Sequence, residues 1–192
     1  TSGARLPKNS PGYPFFNRRT VFRDADANAS ARQAIDALIG PKTTFRVLSI
    51  FKWERRKAPD VLIDGFFQAF PDDAELVLHA YRPSWERGDK NLQRVAKAMR
   101  PVRAKSRLTW LGGVQLSRRE LRALYASVDC FALPTRGEGW GLPVHEALAM
   151  QVPVVVTGIA GPLEITGGNG TAWLTDDGGR GADGGRDGQG CG

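Results

Sequence analysis

The sequence predicts an α/β fold with a mostly parallel sheet. Between residues 45 and 165, strand-like and helix-like segments alternate without interruption. The strand-like segments are mostly apolar, which is the pattern of strands covered by helices on both faces. A length of 192 residues suits one domain of ordinary size.

The first strand is expected over Phe45 to Phe51 (FRVLSIF). A helix follows from Pro59 to Phe70, with Leu62, Ile63, Phe66, Phe67 and Phe70 on one stripe. Pro59 suits its first turn, where a missing amide costs nothing. Glu75 to Tyr81 reads as a second strand, and Asn91 to Met99 as a helix carrying Leu92, Val95, Ala96 and Met99 at helical spacing. Leu108 to Leu111 is a third strand, ended by Gly112 and Gly113. Ser117-Arg-Arg-Glu120 is a capping box opening a helix with Leu121, Leu124 and Tyr125 on its apolar side. Val128 to Leu133, Pro143 to Met150 and Val152 to Thr157 complete the pattern as strand, helix and strand.

The flanks differ in character. Residues 1–44 read as a lead-in or interdomain segment, punctuated by Pro7, Pro11, Gly12 and Pro14, with helical composition from Ala29 to Ile39. In residues 166–192 Gly, Asp and Arg dominate, and 13 of the 23 glycines fall between Gly158 and Gly192. A stretch with so little to bury is expected to be disordered. Its abrupt loss of pattern also suggests an aberrant end of a reading frame. The domain is therefore drawn at residues 45–165.

Apolar residues make up 41% and charged residues 24%, as in an ordinary soluble protein. A net charge of +7 favours polyanions or phosphorylated small molecules. The basic residues are scattered, however, in short clusters at Arg18-Arg19, Arg55-Arg56-Lys57 and Arg118-Arg119. With no Cys/His finger spacing beside them, no nucleic-acid partner is expected. No apolar run approaches the roughly 18 residues of a membrane span, and no signal-peptide core is visible. Cys130 reads as a buried free thiol and Cys191 lies in the glycine-rich tail. Nothing demands a disulfide, so a reducing, cytoplasmic setting is expected, with contact at a membrane surface left open.

In parallel sheets ligands bind beyond the carboxyl ends of the strands. That directs attention to the loops after Phe51, Leu111 and Leu133. The last reads Pro134-Thr-Arg-Gly-Glu-Gly-Trp-Gly-Leu-Pro143, with glycines around Glu138 and Trp140 and a helix directly behind. Glycines admit close backbone approach, and a helix N-terminus favours an anion such as phosphate. Glu138 adds an acceptor for sugar hydroxyls, and Glu146, one turn into the helix, can bridge a ribose diol. The plainer alternative is a tight strand-to-helix turn with two solvated glutamates. The loop after Phe51 holds Lys52 and Lys57 with Arg55 and Arg56 between them. It reads either as a solvated cluster or as the cations that a departing diphosphate requires.

In combination and order, these motifs resemble the retaining glycosyltransferases of family four, which have the GT-B architecture of two Rossmann-like domains facing a cleft. The resemblance covers residues 45–165. It rests on the E-x7-E motif from Glu138 to Glu146, then Ala147-Leu-Ala-Met150 and Val152-Pro-Val-Val-Val-Thr157. Gly161-Pro-Leu-Glu164 and the five-residue spacing of Lys52 and Lys57 agree with it, and the opening SIFKWERRKAPD looks like a subgroup with FKWE in place of the usual GR. The chain is thereby expected to be a Rossmann-like parallel sheet, the C-terminal half of a GT-B fold, and incomplete.

The resemblance implies roles. Glu138, Lys52 and Lys57 would be catalytic, Glu138 orienting the transferred sugar and the lysines neutralising the diphosphate. Gly139, Trp140, Gly141, Leu142 and Val144 would hold the sugar and distal phosphate through their amides, and Glu146 would bind the ribose. Gly112 and Gly113 would lie near the nucleobase. No catalytic metal and no cofactor beyond the nucleoside-diphosphate sugar are implied, consistent with the lack of a convincing Asp-x-Asp metal box. The acceptor, a sugar, lipid or protein, would need an N-terminal acceptor domain that does not precede residue 45, so this chain alone is expected to be inactive.

Three departures stand out: Lys52 in place of arginine, Ala58 in place of a glycine, and Gln151 in place of another. The alternative reading is a non-catalytic nucleotide-sugar-binding fragment or degenerate paralogue. A glycoside hydrolase using Glu138 and Glu146 as paired carboxylates fits worse, because the glycine-rich helix entrance suits phosphate. His79 reads as a packed or edge histidine and His145 as exposed. Trp53, Trp110 and Trp140 read as packing residues, with Trp140 near enough to line the sugar site.

Overall fold

A computed structural model of the chain describes residues 25–82, 91–166 and 172–175. The expectations placed on residues 1–24, on Cys191 and on most of the glycine-rich tail lie outside these described residues. Six parallel strands form one sheet: β1 (Phe45–Lys52), β2 (Ala74–Tyr81), β3 (Arg107–Trp110), β4 (Cys130–Leu133), β5 (Val154–Thr157) and β6 (Ala172–Thr175). Their order is β3-β2-β1-β4-β5-β6. The chain builds outward from β1 to β3, then returns to the other side of β1 and builds outward again. The reversal falls between β1 and β4, and in open parallel sheets the crevice for ligands lies at the carboxyl ends of such a pair.

Helices α1 (Ala25–Ile39), α2 (Pro59–Ala69), α3 (Leu92–Ala98), α4 (Arg118–Ala126), α5 (Leu142–Ala149) and α6 (Ala160–Thr166) join the strands or flank them. Successive residues of the central strands are buried alike: Val47 and Leu48 in β1, and Leu76, Val77 and Leu78 in β2. Neighbouring side chains on a strand point to opposite faces, so both faces are covered, as the mostly apolar runs foretold. Leu62, Ile63, Phe66 and Phe67 of α2 are buried on the sheet, each contributing about 1.5–3 kcal/mol.

The capping box forms as expected. Glu120 N–H donates to Ser117 Oγ at 3.3 Å, and Ser117 N–H donates to Glu120 Oε2 at 2.7 Å. Pro59 takes the first turn of α2. α1 packs against α4 and sends Ile35 and Ile39 into the core, so helix structure precedes the segment drawn from residue 45. β6 continues the sheet beyond residue 165, pairing in parallel with β5. β5 itself starts at Val154, two residues later than expected, behind Pro153. Proline has no amide for the ladder, although the Pro153 carbonyl accepts from Phe131 N–H at 2.8 Å.

The amino ends of β1, β2 and β3 are tied by a buried charge network. Arg46 Nε donates to Glu75 Oε2 at 2.7 Å, and both side chains are about 1% exposed. Arg107 reaches the same oxygen at 3.0 Å, and Thr109 Oγ1 donates to Glu75 Oε1 at 2.6 Å. Burial alone would raise the Glu75 carboxyl, but the bonds from Thr109, Arg46 and Arg107 outweigh it and hold it below its ordinary range. Asp129 accepts from Arg46 N–H at 2.9 Å and pairs with Lys42, fixing the approach to β4. This network stands at the opposite end of the strands from the crevice.

Candidate functional site

Two loops meet at the crevice. The first leaves β1 through a single 3-10 turn, Arg55–Lys57, and enters α2. The second leaves β4 and enters α5. They are fastened to each other by several contacts. Arg136 N–H donates to Arg56 O at 2.8 Å, and Arg56 Nη1 donates to Gly137 O at 2.6 Å. Arg136 also forms a two-pronged pair with Asp60, at 2.9 and 2.6 Å, which lowers the Asp60 carboxyl chiefly through the hydrogen bond. Buried Thr135 sits between the loops, its Oγ1 2.9 Å from Arg56 O and 2.8 Å from Gly137 O. Its N–H donates to Thr157 Oγ1 at 2.8 Å, anchoring the loop to the end of β5.

The centre of this junction is an ion pair between Lys57 Nζ and Glu138 Oε2. Both side chains are only 10% exposed. Glu138 Oε1 accepts from Gly139 N–H at 3.1 Å. The residues are 81 positions apart, yet the fold makes them direct partners because β1 and β4 are adjacent. A lysine and a carboxylate held together in a nearly dry crevice are positioned to bind complementary halves of a polar, anionic ligand. Lys52, the last residue of β1, is half-buried at the rim, in register with Tyr81 of β2.

α5 starts beside this pair. Its N-cap is Gly141 at φ +80°, a left-handed conformation that favours glycine. Of the amides expected to hold a ligand, Gly139 already serves Glu138, and Val144 N–H donates to Gly141 O at 2.9 Å. The Val144 amide is thus already bonded within the tight first turn of the helix. The amides of Trp140, Gly141 and Leu142 have no such internal partner among the described residues. Gly161, at the start of α6, donates to Gly139 O at 2.9 Å. A Cβ there would fall 2.3 Å from that oxygen, so only glycine lets α6 approach the loop this closely.

Trp140 is 44% exposed and stacks on His145, with ring centroids 6.3 Å apart. It is a surface residue of the site instead of a packing residue, and His145 is half-buried against it. Trp53 and Trp110 do pack as expected, edge to face at 5.6 Å, with Phe51 behind them. Gly112 and Gly113 close β3 at the outer edge of the sheet, two strands from β1, and are not in contact with the Lys57–Glu138 pair. A Cβ on Gly112 would meet the Trp110 ring at 2.3 Å, and Gly113 has φ +83°. His79 Nδ1 lies 3.1 Å from Leu111 O, a packed position.

Glu146 is half-buried on α5, and burial pushes its carboxyl above the ordinary range, only partly offset by a hydrogen bond from Tyr125. Tyr125 on α4 is fully buried, and its hydroxyl lies 2.9 Å from Glu146 Oε2 and 3.2 Å from Pro143 O. Burial, then the Glu146 charge, holds the phenol well above its ordinary value, so it remains a donor. Sequence reading assigned Tyr125 to an apolar stripe only. The signal available was that a buried tyrosine hydroxyl needs a partner. Thr135 was missed in the same way, although a threonine just after a strand commonly bonds its own loop. Cys130 is a half-buried thiol, pushed up to about 11 by burial and then by Asp129, and so is unreactive.

Residues 43–182 match the family described as glycosyl transferases group 1, and the chain belongs to that family. No curated protein matches it. Among solved structures, HepE of Anabaena in complex with UDP-glucose is similar with a TM-score of 0.60 at 21% identity, over 80% of this chain and 42% of that one. Sucrose-phosphate synthase from Thermosynechococcus elongatus is similar with a TM-score of 0.54 at 21% identity, over 76% and 34%. The C-terminal domain of a glycosyl transferase group 1 family protein from Francisella tularensis gives 0.50 at 18% identity, over 74% and 70%. The fold is thus the Rossmann-like α/β fold of GT-B glycosyltransferases, and the chain spans about a third of the length of the sucrose-phosphate synthase and about two fifths of that of HepE. Among the described residues no helix is long and apolar enough to cross a membrane.

Proposed function

We propose that this chain is the donor-binding half of a retaining glycosyltransferase of family four, which moves a sugar from a nucleoside diphosphate to an acceptor. The observation that carries the reading is the buried Lys57–Glu138 pair at the β1/β4 crevice, beside the N-terminus of α5. In the donor complex the two partners separate their tasks. Lys57, with Lys52 at the rim, neutralises the diphosphate, on which charge grows as the sugar–phosphate bond breaks. Glu138 accepts hydrogen bonds from the sugar hydroxyls and fixes the ring. The Trp140, Gly141 and Leu142 amides receive the distal phosphate, aided by the positive end of the helix. Glu146 takes the ribose, and the nucleobase lies toward Gly112, Gly113 and the Trp53–Trp110 wall.

Two lysines supply the positive charge that a metal would otherwise bring, so the reaction proceeds without a catalytic metal. The acceptor, a sugar, lipid or protein, binds on a second domain across the cleft. The reaction belongs to the cytoplasm, with no nucleic acid involved, and the net charge of +7 suits work near an acidic membrane surface. Because HepE was solved with UDP-glucose, UDP-sugars are the first donors to test. Nucleoside diphosphate release by the full-length protein, with UDP-, GDP- and ADP-sugars and a chelator present, is the test. Release with one donor class, undiminished by chelator, is expected. Binding without release would favour a non-catalytic nucleotide-sugar module, and neither binding nor release would sink the reading.

A further inference from the structure

Glu146 needs a fixed orientation to serve a ribose, and α5 does not supply one by itself. Its side chain is half-buried, and its hydrogen-bond partner comes from a different helix. Tyr125 is completely buried in α4, with its ring 5.9 Å from Phe131 of β4. The ring is therefore immobilised by the core, and its hydroxyl emerges at the one place where α5 begins. There it stands within hydrogen-bond reach of both the Pro143 carbonyl and Glu146 Oε2. The shorter contact is to the carboxylate, where a hydrogen bond is also stronger because the acceptor is charged.

We propose that Tyr125 is a positioning residue for the donor: its hydroxyl holds Glu146 Oε2, so that Oε1 is presented to the ribose hydroxyls. This rests on the ribose role of Glu146 proposed above. Tyr125 touches neither sugar nor phosphate. It converts a flexible three-carbon side chain into a fixed acceptor by anchoring it to the sheet through Phe131. An unanchored glutamate would lose rotamer freedom on binding, whereas the hydrogen bond has already removed that freedom during folding.

The test uses the full-length protein and calorimetric titration with UDP, GDP and ADP, choosing the nucleotide bound most tightly. Each variant is then compared on that nucleotide and its 2′,3′-dideoxy form. Wild type should prefer the ribose form. Tyr125→Phe should lose about tenfold of that preference while binding the dideoxy form as wild type does. In a Glu146→Ala background the same change should have no further effect, because the two residues act as one unit. A Tyr125→Phe variant that binds both forms equally less well, or that keeps the full preference, overturns the proposal. Glu146→Asp is the second variant, useful if Tyr125→Phe does not fold. It keeps the charge but withdraws it from Tyr125, and should also lose the preference. Retained preference in that variant counts against the anchor. Unchanged affinity in Glu146→Ala instead removes the ribose role itself.

Discussion

At the residue scale, the site is a set of charges held out of water by specific partners. Lys57 and Glu138 neutralise each other, which offsets the cost of burying either charge alone. Glu146 is different: its partner is a neutral phenol, and burial raises its carboxyl. The folded protein thus holds this proton to a higher pH than the unfolded chain does. Stability conferred by that proton is complete below the unfolded carboxyl's range, near pH 4, and is lost as pH rises through the raised folded value. Glu146→Gln removes the dependence. By thermal denaturation the variant should melt higher than wild type at pH 7, with the difference closing toward pH 4. A lower melting temperature at pH 7 would mean that the ionised carboxylate is well satisfied where it stands.

At the element scale, the turns explain two departures from the family pattern. Ala58, where the resemblance leads one to expect glycine, caps the 3-10 turn at φ +48°. Gln151, in place of another such glycine, lies just after α5 at φ +61°. Side chains are strained in this left-handed region by roughly 1–2 kcal/mol, partly offset by the extra freedom glycine has when unfolded. Ala58→Gly and Gln151→Gly should each therefore raise the unfolding free energy by about 0.5–1 kcal/mol, measured by urea denaturation. Destabilisation by either would show that its backbone is not strained. The elements themselves were legible because the apolar runs, the capping box at Ser117 and Pro59 are local signals. β6 was not, since four strand residues inside a glycine-rich stretch carry too little pattern to stand out. Arg46 and Glu75 were read as ordinary strand members, because nothing local tells that a charge at a strand's start will be buried against another.

At the scale of the whole molecule, the sheet has two unlike ends. The amino ends of β1, β2 and β3 are locked by the Arg46–Glu75–Arg107 network, which is structural. The carboxyl ends of β1 and β4 carry the crevice, where strand order reverses and the two loops are pinned together. The identities of Lys57, Glu138 and Glu146 were visible from motif and order, and their placement at this end follows from the topology. Their partnerships were not visible. Lys57 meets Glu138, and Tyr125 meets Glu146, only through contacts between elements distant in sequence. The most direct test of the central claim is steady-state kinetics of Lys57→Ala in the full-length enzyme with its preferred donor. If Lys57 stabilises the departing diphosphate, kcat should fall by about 10²–10³-fold while the donor KM changes far less. An unchanged kcat, or a loss confined to KM, would contradict it.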